Sequence, residues 1–149
     1  MLPHRDQFSG CIIGQCLGDA LGFAVKGFSP PACRRYVEDY LKTGKAGEFG
    51  RFPFPFGQYS DDSQLARELL QSYVTCKKFD PYDYAERIKC IFIERRVVGF
   101  GYSTRQAALR LAEGIPWEES GTPAPSAGSG SAMRAAPIGL FFLITRRCL

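Results

Sequence analysis

Tyr59-Ser60-Asp61-Asp62-Ser63-Gln64-Leu65-Ala66-Arg67-Glu68-Leu69-Leu70-Gln71-Ser72-Tyr73-Val74-Thr75-Cys76 is the stretch that decides the fold class. Leu65, Ala66, Leu69, Leu70, Tyr73 and Val74 recur at three-to-four spacing, the period of one helix face. The polar residues ahead of them supply the start signal. Ser60 or Asp61 can serve as N-cap, Asp61 with Gln64 three positions on is a capping-box pattern, and carboxylates in the first turn suit the helix dipole. The spacing predicts a helix over Asp61–Cys76. The same residues admit a chemical reading beside the capping one. Two adjacent carboxylates and a hydroxyl at a helix start project three oxygens into one small volume, and magnesium takes oxygen ligands in a tight octahedron.

Outward from this helix the pattern stays helical. Phe8 to Val25 has helical length and few β-branched residues, with glycines at every fourth position: Gly10, Gly14, Gly18 and Gly22. Each helical glycine costs on the order of 1 kcal/mol against alanine, so some close approach is expected to offset them. Helix packing is the expectation at Gly10 and Gly14, and a site lining at Gly18 and Gly22, which flank Asp19. Pro30-Pro31 starts a short helix over Ala32–Thr43. Pro53 and Pro55 make Gly47–Gly57 a loop, tied to a core by Phe49, Phe52, Phe54 and Phe56. Asp80-Pro81 opens the next helix, to about Arg96. Ser103 or Thr104 caps another that ends at Gly114, and Pro116-Trp117 begins a short turn. Thr122–Ser131 is a shaped loop, and Ala132–Thr145 is an apolar segment that Pro137 kinks or restarts. No period-two segment predicts a strand.

Composition narrows the chemistry. The chain has 149 residues, 45% hydrophobic and 23% charged, enough for one domain with a core. Its net charge of +4 comes from scattered pairs such as Arg34-Arg35, Lys77-Lys78, Arg95-Arg96 and Arg146-Arg147, a pattern of solvated helix faces and not of a nucleic-acid surface. The mild positive charge suits a phosphate-bearing small molecule. Gln15 and Asp19 interrupt the apolar stretch at Phe8–Val25, which breaks a signal-peptide core and a membrane span. Six cysteines without a Cys-x-x-Cys pair read as reduced, and the compartment as cytoplasmic. The single histidine, His4, sits at the N-terminus, so a Ser-His-Asp triad, a Cys-His pair or a His-rich zinc site is not expected. Any acid–base or metal chemistry falls to carboxylates.

A second block stands late in the chain: Gly128-Ser129-Gly130-Ser131-Ala132-Met133-Arg134. Small residues leading into a helix can offer backbone N–H groups to an anion, and Arg134 can add charge or pair with a buried carboxylate. Gly14 to Gly22 (containing Gly-Asp-Ala-Leu-Gly), Tyr59 to Gln64, and Gly128 to Leu140, in that order, resemble the ADP-ribosylglycohydrolase family over nearly the whole chain, from Phe8 to about Phe142. The resemblance implies an all-α orthogonal multi-helix bundle whose cleft holds two magnesium ions, sometimes manganese. It implies hydrolysis of the bond between ADP-ribose and an acceptor such as arginine or serine on a protein. The hydroxyl-Asp-Asp block maps first-half metal ligands onto Ser60, Asp61 and Asp62, and makes Asp61 and Asp62 the candidate catalytic residues. Asp19, Gly128, Ser129, Gly130, Ser131 and Met133 are the candidate substrate-binding residues.

Three departures from the family pattern matter. Lys26 stands where the family usually has a glutamate near the scissile bond, and a cation there cannot act as a carboxylate base and would repel metals. Ser129 replaces an asparagine. The family's Asp-x-Asp-Thr block, which supplies the remaining metal ligands, is absent. The expectation is one partial domain over residues 1–149, truncated at its C-terminus. Weak magnesium affinity, negligible turnover and self-association through uncovered apolar faces such as Ala132–Ile144 follow from that reading. The alternative is a non-catalytic ADP-ribose-binding or structural module of the same fold, as in the family's lens crystallin relative.

Overall fold

A computed structural model describes residues 4–145. Seven α-helices follow one another with no strand among the described residues: α1 (Arg5–Phe23), α2 (Pro30–Arg35), α3 (Asp61–Cys76), α4 (Pro81–Ile93), α5 (Tyr102–Ala112), α6 (Trp117–Ser120) and α7 (Ala135–Thr145). The all-α class is as expected. None of these helices is long and apolar enough to cross a membrane. Cys11, Cys16, Cys33, Cys76 and Cys90 are free thiols, while Cys148 and the Arg146-Arg147 pair lie outside the described residues.

Helix α1 begins where the His4 N–H donates to Gln7 Oε1 at 2.9 Å. Its glycine strip corrects the expectation of a close approach. Among the described residues, a Cβ built at Gly10, Gly14, Gly18 or Gly22 meets nothing within 4 Å beyond the helix's own backbone, so no described neighbour presses on these positions. On the same helix Ile13, Leu17 and Leu21 remain 56%, 57% and 40% exposed at four-residue spacing, an uncovered apolar stripe. Since the helical glycine penalty is offset by no described contact, Gly10→Ala should stabilise this chain by about 0.5–1 kcal/mol. A thermal melt checks it; a fall in Tm would mean that Gly10 meets a partner.

Helix α2 starts at the Pro30-Pro31 pair, as expected, but runs into a π-helical turn at Tyr36–Leu41, so the single helix expected over Ala32–Thr43 is composite. Tyr36 is buried, and its hydroxyl donates to the Leu21 carbonyl at 3.1 Å, which fastens this arm to α1. The phenylalanine loop is tied down by two rings and not four. Phe49 packs on Tyr36 and Phe54 on Phe23, whereas Phe52 is 96% exposed and Phe56 is also exposed.

The central helix α3 buries Leu65, Ala66, Leu69 and Tyr73, but Val74 points outward. At 100° per residue Val74 lies half a turn from Leu65, so the buried stripe closes on Ser72 and Tyr73 instead. Leu65, Ile91 of α4 and Val97 form the core, with Ile88, Phe92 and Met133 packed against them. Helix α4 has the expected cap: Asp80 Oδ1 accepts from the Tyr82 and Asp83 N–H groups, both at 3.1 Å. It ends at Ile93 because Arg95 turns left-handed at φ 55°, short of the expected Arg96. Helix α5 is led by Gly101 and not by Ser103 or Thr104; the Ser103 hydroxyl is engaged 2.7 Å from that of Ser126. Ahead of α7 lies a 3-10 turn, Ser129–Arg134, and buried Pro137 falls in the first turn of α7, where its missing N–H breaks no intrahelical bond. Phe141 then stacks on Tyr73 at 3.9 Å, closing α7 onto α3.

Candidate active site

The site is built on the N-terminus of α3, and three segments converge there. Ser60 is the N-cap, with its Oγ 3.5 Å from the Asp62 nitrogen. The stronger cap comes from α1. Asp19 Oδ2 accepts from Ser60 N at 2.8 Å and Ser63 N at 3.0 Å, while Oδ1 accepts from Ser60 Oγ at 2.7 Å. A carboxylate laid across those N–H groups satisfies donors that have no intrahelical partner, at the positive end of the dipole. The segment before α5 closes the other side: Asp61 N donates to the Val98 carbonyl at 2.7 Å. Gln64 does not close a capping box with Asp61. Its Nε2 donates to the Arg96 carbonyl and its Oε1 accepts from Val98 N, both at 2.8 Å. Gly99 makes this approach possible. Its φ is 72°, and a Cβ there would lie 2.6 Å from the Phe23 ring and 3.1 Å from Ser60 Cβ.

Held this way, Ser60 Oγ, Asp61 Oδ1 and Asp62 Oδ2 face one point, and the Lys26 ammonium occupies it. The Nζ distances are 3.4, 2.8 and 3.4 Å respectively. The Asp61 side chain is only 3% exposed, against 33% for Asp62 and 39% for Lys26. Burial pushes the Asp61 carboxyl above the usual carboxylate range, the hydrogen bond and charge of Lys26 pull it down, and the charges of Asp62 and Asp19 add to the upward push. For Lys26 partial desolvation works downward, but the hydrogen bond and charge of Asp61, then Asp62, hold the ammonium above the ordinary lysine range.

The opposite wall is the loop that enters α7. A cavity of about 740 Å³, of the size small-molecule sites have, separates Asp61, Asp62 and Lys26 from Gly128, Ser129, Gly130, Ser131 and Met133. Helices α4 and α5 supply its floor, including Tyr84, Ile88 and Ala107. Three contacts shape the loop. Ser126 meets Ser103, Thr122 Oγ1 donates to the Ser103 carbonyl at 3.2 Å, and Arg134 Nη1 donates to the Gly130 carbonyl. Arg134 pairs with no described carboxylate. Its Nε donates to the Tyr84 hydroxyl at 2.6 Å and its guanidinium lies 5.7 Å from the centre of that ring.

The structure therefore brings together Asp61, Asp62 and the Gly128–Met133 residues around one cavity. Ser60 stands behind them, fully buried. Asp19 is not on the cavity wall; its oxygens are spent on the α3 cap. Gly18 and Gly22 do not line it either. Sequence reasoning missed Gln15, whose Nε2 donates to the Asp62 carbonyl at 3.1 Å and the Met133 carbonyl at 2.8 Å, joining the two walls. It also missed Gly99 and Arg51. The signal for Gly99 was a glycine set among apolar residues directly after a helix (Val97-Val98-Gly99-Phe100). Nothing local marks Gln15.

Whether a divalent ion suits this site turns on Lys26. Magnesium needs its oxygens at about 2.0–2.1 Å in an octahedron. Here the shared focus of the three oxygens holds an ammonium, and a doubly charged ion beside it would meet strong repulsion. Among the described residues no three His, Cys, Asp or Glu side chains are grouped to hold a metal. With Lys26 in this position the residues do not fit the two-magnesium centre that the resemblance implied.

Comparison with known proteins agrees with the three motif blocks. The family model for ADP-ribosylglycohydrolase matches residues 2–147. The chain is 33% identical to an uncharacterized protein of Archaeoglobus fulgidus over 93% of its own length and 44% of that protein. It is 31% identical to an ADP-ribosylarginine hydrolase of Pseudomonas putida, over 91% of this chain and 36% of that one. It is 27% identical to an ADP-ribosylhydrolase of Xenopus tropicalis, over 95% and 41%. The chain thus spans less than half the length of these relatives. With its motif blocks in order, its helical fold and this match over nearly every residue, the chain belongs to the ADP-ribosylglycohydrolase family.

Proposed function

We propose that this chain forms the ADP-ribose-binding face of a hydrolase that removes ADP-ribose from modified protein side chains. The observation that carries the reading is the cavity with the carboxylates of buried Asp61 and half-buried Asp62 on one wall and a glycine-serine loop on the other. Relatives named as hydrolases of ADP-ribosylarginine support it. Each wall suits one part of the ligand. Small residues at Gly128 and Gly130 let a diphosphate approach the backbone, and the hydroxyls of Ser129 and Ser131 can donate to it. Phe79, Tyr102 and Trp117, all exposed and all on the cavity lining, offer ring faces to adenine. Asp62, the more accessible carboxylate, can accept from ribose hydroxyls.

The chemistry of Lys26 favours binding over turnover. A general base must hold a free lone pair toward water, and here the ammonium occupies the space between both carboxylates. This chain on its own is accordingly proposed as a weak hydrolase or a non-catalytic ADP-ribose module.

Calorimetry with ADP-ribose tests the assignment, with Gly128→Val as the blocking variant. Gly128 has an extended backbone (φ −148°) and open space where a Cβ would stand, so valine fills cavity without disturbing the fold. We expect saturable binding to the unmodified chain and at least a tenfold loss in the variant, about 1.4 kcal/mol. Release of ADP-ribose from modified arginine or serine peptides should stay near background. Absence of binding, or equal binding by the variant, would refute the assignment.

A further inference from the structure

The disagreement between the oxygen triad and a divalent ion has a positive content. We infer that Lys26 is a built-in cation, which takes the place a metal would hold and leaves the Ser60–Asp61–Asp62 site complete without one. The geometry matches donor to acceptor. An ammonium has three N–H groups, and three acceptors surround this one: Asp61 Oδ1 at 2.8 Å, Asp62 Oδ2 at 3.4 Å and Ser60 Oγ at 3.4 Å. The Ser60 hydroxyl is free to accept because its own proton goes to Asp19 Oδ1 at 2.7 Å.

Two further observations separate this arrangement from a surface lysine that has drifted onto nearby acids. The backbone that carries Lys26 is fastened. Arg51 Nη1 donates to the Lys26 carbonyl at 2.7 Å and to the Phe23 carbonyl at 3.1 Å, with its guanidinium 5.0 Å from the centre of the Phe23 ring. This clamp presents the side chain from the turn directly after α1. In addition Asp61 requires a counter-charge, because a carboxylate withdrawn from water is costly unless paired. Among the described ion pairs its partner is Lys26. A tethered ammonium is always present at its site, whereas a divalent ion is present only above its dissociation constant. The site should therefore hold its shape in chelator.

Manganese, whose free ion gives an EPR signal that binding removes, is the probe, with magnesium as competitor. It would be titrated into the 149-residue chain, into Lys26→Met, which keeps length and loses charge, and into Lys26→Arg, which keeps the charge. We expect no saturable manganese binding at millimolar concentration to the unmodified chain or to K26R, and a Tm indifferent to EDTA. K26M should gain magnesium-competable binding at least tenfold tighter, and Asp61→Asn in that background should abolish it. Saturable, Asp61-dependent binding to the unmodified chain would overturn the inference, and so would a folded K26M that binds no better. Should K26M fail to fold in EDTA, recovery of its fold by manganese supports the inference, and a chain that stays unfolded with manganese overturns it. These readouts do not depend on the ligand proposed for the cavity, so ADP-ribose binding and metal exclusion can fail separately.

Discussion

Asp19→Ala should destabilise the chain by about 3 kcal/mol. Asp19 makes three hydrogen bonds, to Ser60 N, Ser60 Oγ and Ser63 N, at 2.7–3.0 Å. A hydrogen bond to a charged group contributes about 1.5–3 kcal/mol, and the helix dipole adds about 0.3–1 kcal/mol. These terms are not additive, because one side chain makes all three contacts. Ser60 and Ser63 are buried, so the abandoned N–H groups find no water to replace the carboxylate. Asp19→Asn should recover part of the loss, since its amide oxygen can still accept from one N–H. Urea unfolding at unchanged m-value measures both. A cost under about 1 kcal/mol for D19A would show that water or Ser60 itself caps α3 adequately. D19A should also loosen the triad, because the Ser60 hydroxyl then keeps only the longer contact to Asp62 Oδ2 at 3.3 Å.

Gly99→Ala should cost about 2–4 kcal/mol. A non-glycine residue in the left-handed region loses about 1–2 kcal/mol, and forcing a methyl into a packed contact typically adds about 1–3 kcal/mol. Both apply here: φ is 72° and the new Cβ would stand 2.6 Å from the Phe23 ring. The neighbouring Gly101 is the control. Its φ is −79° and its Cβ would meet nothing within 4 Å, so G101A should stay within about 0.5 kcal/mol of the unmodified chain. Phe23→Leu should relieve part of the G99A clash, giving a double mutant less damaged than the sum of the single changes by about 1 kcal/mol. If G99A and F23L were strictly additive, the ring would not be the obstacle. Because Gly99 adjoins Val98, whose carbonyl receives Asp61 N, G99A should also weaken ADP-ribose binding.

Much was readable from local signals. The three-to-four spacing at Leu65–Tyr73, the Asp80-Pro81 start and the absence of alternation specify an all-α chain, because amphipathic period and caps are properties of a few consecutive residues. The pairing of Asp61 and Asp62 with the Gly128–Ser131 loop was legible from the family motifs and agrees with their shared cavity. The glycine strip misled for a physical reason. Four-residue spacing reports a common face of α1, but the sequence is silent on whether anything lies against that face. The phenylalanine loop misled likewise: with two prolines in it, no periodicity says which rings turn inward, and Phe52 and Phe56 turn out.

The sequence by itself determined the helices, the Asp80 cap of α4, the family, and the carboxylates and small residues that meet at the cavity, since each is encoded by neighbours in the chain. Only the tertiary structure decided what those groups do to one another. Asp19 became the cap of α3 and left the cavity wall, although 41 positions separate it from Ser60. Gln15 came to bridge α3 and the loop before α7, and Gly99 became the passage for the segment that holds Asp61. Lys26, read from the sequence as a charge that would repel metals, became the cation that fills the triad. Its sign was visible in the chain, but electrostatic attraction falls with distance, and the 2.8 Å between Lys26 Nζ and Asp61 comes about where Asp19 docks α1 on the N-terminus of α3 and Arg51 holds the turn after α1 through the Phe23 and Lys26 carbonyls.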